Sequence, residues 1–205
     1  MAQNTLPRVG RPTANQAASI DDRLLRRVWQ LYVAGGYANI SYDAIAAAER
    51  MSKRTIYARY PSKEALFRAA VSLRLRRWVS ENRLSTNSRF EDPVWAFVEL
   101  SLAALLTPDA LAMIRILRGE DSRFPDLADM ARQELGIARA RLTALLAPNG
   151  GSEDEAAQEA AHFIIDMLVG RAVAAGGIGR DEERSAYHAE QLPGILRVVD
   201  RLRTR

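Results

Sequence analysis

The sequence predicts an all-α chain of about nine helices. Three observations carry this. Apolar residues recur at i, i+3, i+4 and i+7 in segment after segment. No stretch shows the period-two alternation of a half-buried strand. The segments are divided by short breaks rich in proline and glycine, at Gly35-Gly36, Pro61, Thr107-Pro108, Gly119 to Pro125, Pro148 to Gly151 and Gly176 to Gly179.

Each element has a local reason. Residues 1–18 are polar, with two prolines, and read as a flexible basic arm. Helix 1 is expected from Asp21 to Ala34, its acids favoured by the positive end of the helix dipole. Leu24, Val28, Leu31 and Tyr32 form its apolar face, and Gly35-Gly36 stops it. Ser41 caps a second helix that would bury Ile45 and Ala48. Ser52 caps a third that would bury Ile56 and Tyr60. Pro61 ends the third helix, and Ser62 caps a fourth from about Lys63 to Arg83. Five more helical patterns follow, at about 92–106, 109–118, 125–147, 153–175 and 181–203. The expected units are 1–18, a head at 19–67 and a body at 68–205.

The segment from Gly36 to Phe67 therefore reads as two short helices, a tight polar break between them, and a longer capped helix at once. That is a helix-turn-helix, a motif that lays its second helix in the DNA major groove. Charge agrees. Residues 1–83 hold 15 Lys and Arg against 6 Asp and Glu, and residues 84–205 hold 14 against 19. The basic excess coincides with the motif, as an electrostatic footprint for phosphates does. By spacing, Lys53, Arg54, Tyr57 and Ala58 face outward on the third helix. Arg54 has the bidentate donors that guanine O6 and N7 require.

Composition narrows the alternatives. Cysteine is absent, which removes disulfides, thiolate metal sites and cysteine nucleophiles and fits a reducing cytoplasm. The first 18 residues hold no apolar run of a signal peptide, and no apolar stretch is long enough to span a bilayer. No nucleophile motif, phosphate-cradling glycine loop or metal-ligand spacing appears, so neither an enzyme nor a cofactor is expected. His162 and Asp166 lie four apart, but with only two histidines in the chain they read as a surface pair.

The chain resembles the TetR/AcrR-type transcriptional regulators. The residues that carry the resemblance are Leu24-Leu25 to Leu31-Tyr32, Gly36-Tyr37, Ser41, Ile45-Ala46, Ser52 to Tyr57, Tyr60 and Lys63 to Leu66, all at the family's spacing. Arg123 to Leu127 looks like the start of its seventh helix. One position departs. The turn between helices 2 and 3 usually reads Ala-Gly in the family and here reads Glu49-Arg50. Either Arg50 holds a positive φ, at roughly 1 kcal/mol, or the turn takes another shape.

The resemblance implies a helix-turn-helix head joined by the long fourth helix to a ligand-binding and dimerisation body. It implies double-stranded operator DNA as partner, read by a cytoplasmic homodimer. The DNA-contacting set is then Ser41, Arg50, Ser52, Lys53, Arg54, Thr55, Tyr57, Arg59 and Lys63. Tyr57 matches a tyrosine on the DNA backbone, and Ser41 and Lys63 match phosphate-gripping positions. Arg11 joins them, because Gly10-Arg11-Pro12 is similar to the core of minor-groove hooks; the plainer alternative is a floppy tail. An apolar or aromatic effector would be lined by Trp78, Trp95, Leu102, Met113, Leu117, Met130, Phe163 and Met167. The dimer would be built from Ala160, Ile164, Leu168, Leu192, Ile195, Leu196 and Val199 on the last two helices. The competing reading is a DNA-binding protein without an effector, whose body serves protein partners. A large apolar cavity would separate the two.

Overall fold

The computed structural model describes residues 14–83, 88–118, 123–147, 153–176 and 180–203, and among these the secondary structure is helical, without a strand. The chain divides into two compact units, with the division between Arg74 and Leu75, inside a helix. Arg11 and most of the expected arm lie outside the described residues.

The first unit is a helical head. Helix α1 runs Ala14–Gly35, α2 Tyr42–Glu49, α3 Lys53–Arg59, and α4 begins at Lys63 and continues to Arg83. A short 3-10 turn, Tyr37–Asn39, joins α1 to α2. α1 starts seven residues earlier than the acids suggested. Asp21 and Asp22 are not first-turn residues but sit within the helix, paired with Arg59 and Arg26. Gly36 closes α1 at φ 71°, which glycine holds without strain. Leu24, Val28, Trp29, Tyr32, Ile40, Ile45, Ile56, Leu66, Phe67 and Val71 form the buried centre. Its aromatic spine runs Trp29, Tyr32, Phe67, Tyr37, with successive ring centroids 5.5, 4.8 and 5.2 Å apart. Ala48 is exposed, contrary to the spacing argument, because α2 turns only Ile45 fully inward.

The second unit holds α5 Pro93–Leu105, α6 Pro108–Leu117, α7 Pro125–Leu146, α8 Glu155–Ala174 and α9 Asp181–Arg203. Proline opens three of these helices, where its missing N–H costs nothing. Asp92, Thr107 and Asp154 cap α5, α6 and α8 through their side chains. The core is aliphatic and comes from α5, α6, α7, α8 and α9: Val94, Val98, Leu102, Ile114, Leu142, Ile164, Leu168, Leu192, Ile195 and Val199 are among its buried members. Among the described residues no single helix is long and apolar enough to cross a membrane.

Asp92 does two jobs. It accepts the N–H groups of Val94 and Trp95 at 2.9 and 3.0 Å, and it pairs with Arg203 at 2.8 Å, tying the start of α5 to the end of α9. Burial pushes its carboxyl pKa up, but the Trp95 N–H, the Arg203 guanidinium and the Val94 N–H outweigh this and hold it below the usual carboxylate value. The group's stabilisation is thus present above its unfolded pKa and is lost as pH falls through the folded one. Asp92→Ala should cost about 1–2 kcal/mol at pH 7, and the deficit should narrow below about pH 4. Urea melts of both proteins across that range check it; a deficit independent of pH would mean that the charge contributes nothing.

Candidate nucleic-acid interface and the cavity of the body

α2 and α3 are short, so their ends decide their placement. Ser41 Oγ accepts from Ala44 N–H at 3.0 Å, and Ser52 Oγ accepts from Thr55 N–H at 3.1 Å. The Ser52 and Thr55 hydroxyls also bond to each other at 2.8 Å. Tyr42 donates its hydroxyl to the Tyr60 carbonyl at 3.1 Å, joining the start of α2 to the end of α3. Burial, then the nearby Tyr57 and Glu64, push the Tyr42 pKa up, so this donor keeps its proton at neutral pH.

Ile56 anchors α3 in the head, and Lys53, Arg54, Thr55, Tyr57 and Ala58 are exposed. These side chains are not equally available. Arg54 has no ion pair or side-chain hydrogen bond to a described residue. Lys53 is bonded to Asp43, and that hydrogen bond, with the acid's charge, raises the amine's pKa. Tyr57 stacks face to face on Tyr42, with centroids 4.2 Å apart and 20° between the ring planes. Lys63 lies over the Tyr37 ring, 4.5 Å from its centroid, with Nζ 3.4 Å from the Ala38 carbonyl. Ser41 and Lys63 stand at the N-termini of α2 and α4, where free N–H groups and the dipole favour phosphate.

The turn between the two helices is left-handed at Arg50, with φ 52° and ψ 42°. Its N–H and that of Met51 both return to the Ala46 carbonyl, closing α2. Glu49 faces inward to Arg27 at 3.5 Å, and Arg50 is exposed. So the side chain that stands where a glycine would be least strained is a solvent-facing cation. Arg50→Gly should leave stability within about 1 kcal/mol, relief of strain offsetting the looser unfolded chain. DNA affinity should fall modestly, and the deficit should close as salt rises. Unchanged affinity at low salt would place Arg50 away from the DNA.

The body holds a cavity of about 400 Å³. Its wall comes from Trp78 of α4, Ser88 and Phe90 of the segment before α5, one face of α5 from Pro93 to Leu105, one face of α7 from Glu134 to Leu145, and Ile165. The lining is mainly apolar, with Ser88, Ser101, Glu134 and Arg141 as polar exceptions. Glu99 fastens the segment before α5. It accepts from the Ser88 hydroxyl at 2.6 Å and the Arg89 N–H at 3.2 Å, and it pairs with the Arg89 guanidinium at 3.0 Å.

The family model described as bacterial regulatory proteins, tetR family, matches residues 24–70, the span from α1 into α4. The head thus matches the model of the TetR family. Solved structures extend the likeness to the body as a fold. A TetR transcription regulator from Haloarcula marismortui ATCC 43049 matches with TM-score 0.67 at 17% identity, over 87% of this chain and 96% of its own. A transcriptional regulator from Rhodococcus sp. Rha1 gives 0.63 at 22%, over 86% and 96%. The flavonoid-responsive regulator FrrA gives 0.52 at 27%, over 88% and 97%. No curated protein matches the chain.

On this TetR-type scaffold the site residues expected from sequence fall into three groups. In the head, Ser41, Arg50, Ser52, Lys53, Arg54, Thr55, Tyr57 and Lys63 lie on α2, α3, their turn and the start of α4. Arg59 differs: its guanidinium is 2.6 Å from Asp21 of α1 and holds the end of α3 to that helix, so it is spent within the head. In the body, only Trp78 of the expected effector residues lines the cavity. Leu102 is fully buried in the core, and Met167 packs against it. Trp95 donates its indole N–H to Asp200 at 2.9 Å and meets Phe90 edge-on. Met113 and Leu117 are on α6, which contributes nothing to this wall, and Met130 is on α7 outside the lining stretch. Phe163 is 55% exposed on the outside of α8. The missed lining residues, Phe97, Leu100, Ala104 and Leu105, had a legible sign: α5 is apolar on a second face besides Val94, Val98 and Leu102.

The residues expected in the dimer are buried within the single chain. Ala160, Ile164, Leu168, Leu192, Ile195, Leu196 and Val199 are all at most 9% exposed within a single chain, because α8 and α9 turn them toward their own core. His162 and Asp166 form no joint site. His162 Nδ1 contacts the Gln158 carbonyl, and Asp166 pairs with Arg139 at 2.7 Å.

Proposed function

We propose that this TetR-type protein is a ligand-responsive repressor that reads a palindromic operator as a homodimer, in the cytoplasm where the DNA lies. The observation that carries the reading is α3: a capped helix, anchored by Ile56, that offers Arg54, without a partner among the described residues, beside Lys53 and Tyr57. An inverted repeat requires two such helices related by a two-fold axis. The outer face of α8 suits the second copy. Phe163 stands exposed there, with Ala156, Gly170 and Ala174 exposed on the same helix and Ala186, Ala189 and Pro193 exposed on α9. Small residues allow close helix approach, and a large exposed aromatic is what a partner would cover.

The effector part of the reading rests on the cavity, which a body serving only protein partners has no need of. The flavonoid-responsive regulator of like fold is consistent with it. α4 supplies both Trp78 to the cavity wall and Lys63 to the head, so a ligand that displaces this helix would alter DNA binding. Selection of bound duplexes from a random pool tests the DNA part. Recovery of an inverted repeat is the expected result; sequences without two-fold symmetry would sink the homodimeric operator.

A further inference from the structure

The cavity has one feature that an apolar ligand does not explain. Glu134 lies in its wall, half-buried, with no ion pair or side-chain hydrogen bond to a described residue. A half-buried carboxylate without a protein partner depends on solvent for its hydrogen bonds. A neutral ligand that displaces the water leaves the charge desolvated and unpaired, which opposes binding. A cation that displaces the same water supplies the missing partner.

The rest of the wall agrees. Trp78, Phe90 and Phe97 put three aromatic side chains around the space, and ring faces attract cations; Phe90 already has the Arg89 guanidinium over it at 4.9 Å, an arginine that Glu99 neutralises. Arg141 also lines the cavity, two turns along α7 from Glu134, and its charge would favour an anion. It is the weaker determinant: it is exposed to solvent at the rim, and its guanidinium already lies over the Phe97 ring, 5.9 Å from the centroid. Glu134 is the more buried charge, and a charge acts more strongly where less water screens it.

We propose that the cavity selects a lipophilic monocation, an aryl- or alkyl-substituted ammonium or phosphonium, with Glu134 as counter-ion and Trp78, Phe90 and Phe97 as the aromatic wall. The proposal rests on the effector reading above and narrows it to one class of ligand.

Three probes that each carry three phenyl rings on a tetrahedral centre and differ in charge test it by calorimetry on the full chain: methyltriphenylphosphonium, triphenylphosphine oxide and methyltriphenylborate. The cation should bind at one site per chain, at least about tenfold tighter than the neutral oxide, with the anion weakest. In Glu134→Gln the cation should fall to the level of the oxide, while the oxide itself still binds and so reports an intact cavity. Arg141→Ala should keep the preference for the cation or sharpen it. Equal binding of cation and oxide to the unmodified protein, or a preference that survives Glu134→Gln, overturns the assignment of charge and leaves an apolar effector site standing. Binding of none of the three overturns the effector site with it.

Discussion

Phe163→Arg is expected to turn the protein into a monomer that no longer holds its operator tightly. The ring is more than half exposed, so the change should hardly disturb the core. In a two-fold interface each substitution counts twice. Nearly half of each ring is already covered by its own chain, so losing the remaining burial of two phenylalanines costs about 1.5–3 kcal/mol, roughly one to two decades in the dimer dissociation constant. Two arginines brought face to face add repulsion. Sedimentation at micromolar concentration reads the oligomer, and fluorescence anisotropy on an inverted repeat reads the DNA. A folded variant that stays dimeric would move the interface away from this face of α8. Leu196→Arg is the wrong test of the same idea, since that side chain is buried and an arginine there would unfold the body.

Arg54→Ala and Lys63→Ala should part company on DNA. Arg54 has a guanidinium without a partner among the described residues on the exposed side of α3, so its loss should cost about 1–3 kcal/mol per half-site and relax the base preference there. Lys63 stands at the N-terminus of α4 over Tyr37, where free N–H groups and the dipole favour a phosphate. Its loss should weaken every duplex alike and reduce the salt slope by about one per protomer. Competition binding against random DNA at two salt concentrations separates the two. Equal losses on specific and random DNA for Arg54→Ala would remove it from the base readers.

Much of the head could be read before any coordinates. Ser41, Ser52 and Ser62 cap where they were expected to, because a cap is a contact over two or three residues and leaves a local trace. Asp21 misled for the same reason in reverse. An acid near a helix start is a local sign, but its actual partner, Arg59, is 38 residues away. The body was harder for a related cause. Periodicity shows that Leu192, Ile195 and Val199 share a covered face, but not which neighbour covers it. The side that a second copy could meet is marked instead by a residue that broke the pattern, Phe163. The cavity was hidden because a lining face and a core face have the same composition, and only the packing of α5 against its neighbours tells them apart.

The stacked pair of Tyr42 and Tyr57 bears on kinetics as well as on contact. A side chain that freezes only on binding gives up rotamer entropy, at about 0.5–1.5 kcal/mol each. Tyr57 has given up much of that in the free protein, since its ring is already seated on Tyr42. On the proposed DNA-binding reading, its hydroxyl would approach a duplex in a settled orientation, and fewer encounters would be wasted on the wrong rotamer. Removing the ring's seat and the tie to the Tyr60 carbonyl together, with Tyr42→Ala, should free the Tyr57 ring and slow productive docking, whereas Tyr42→Phe keeps the seat and should not.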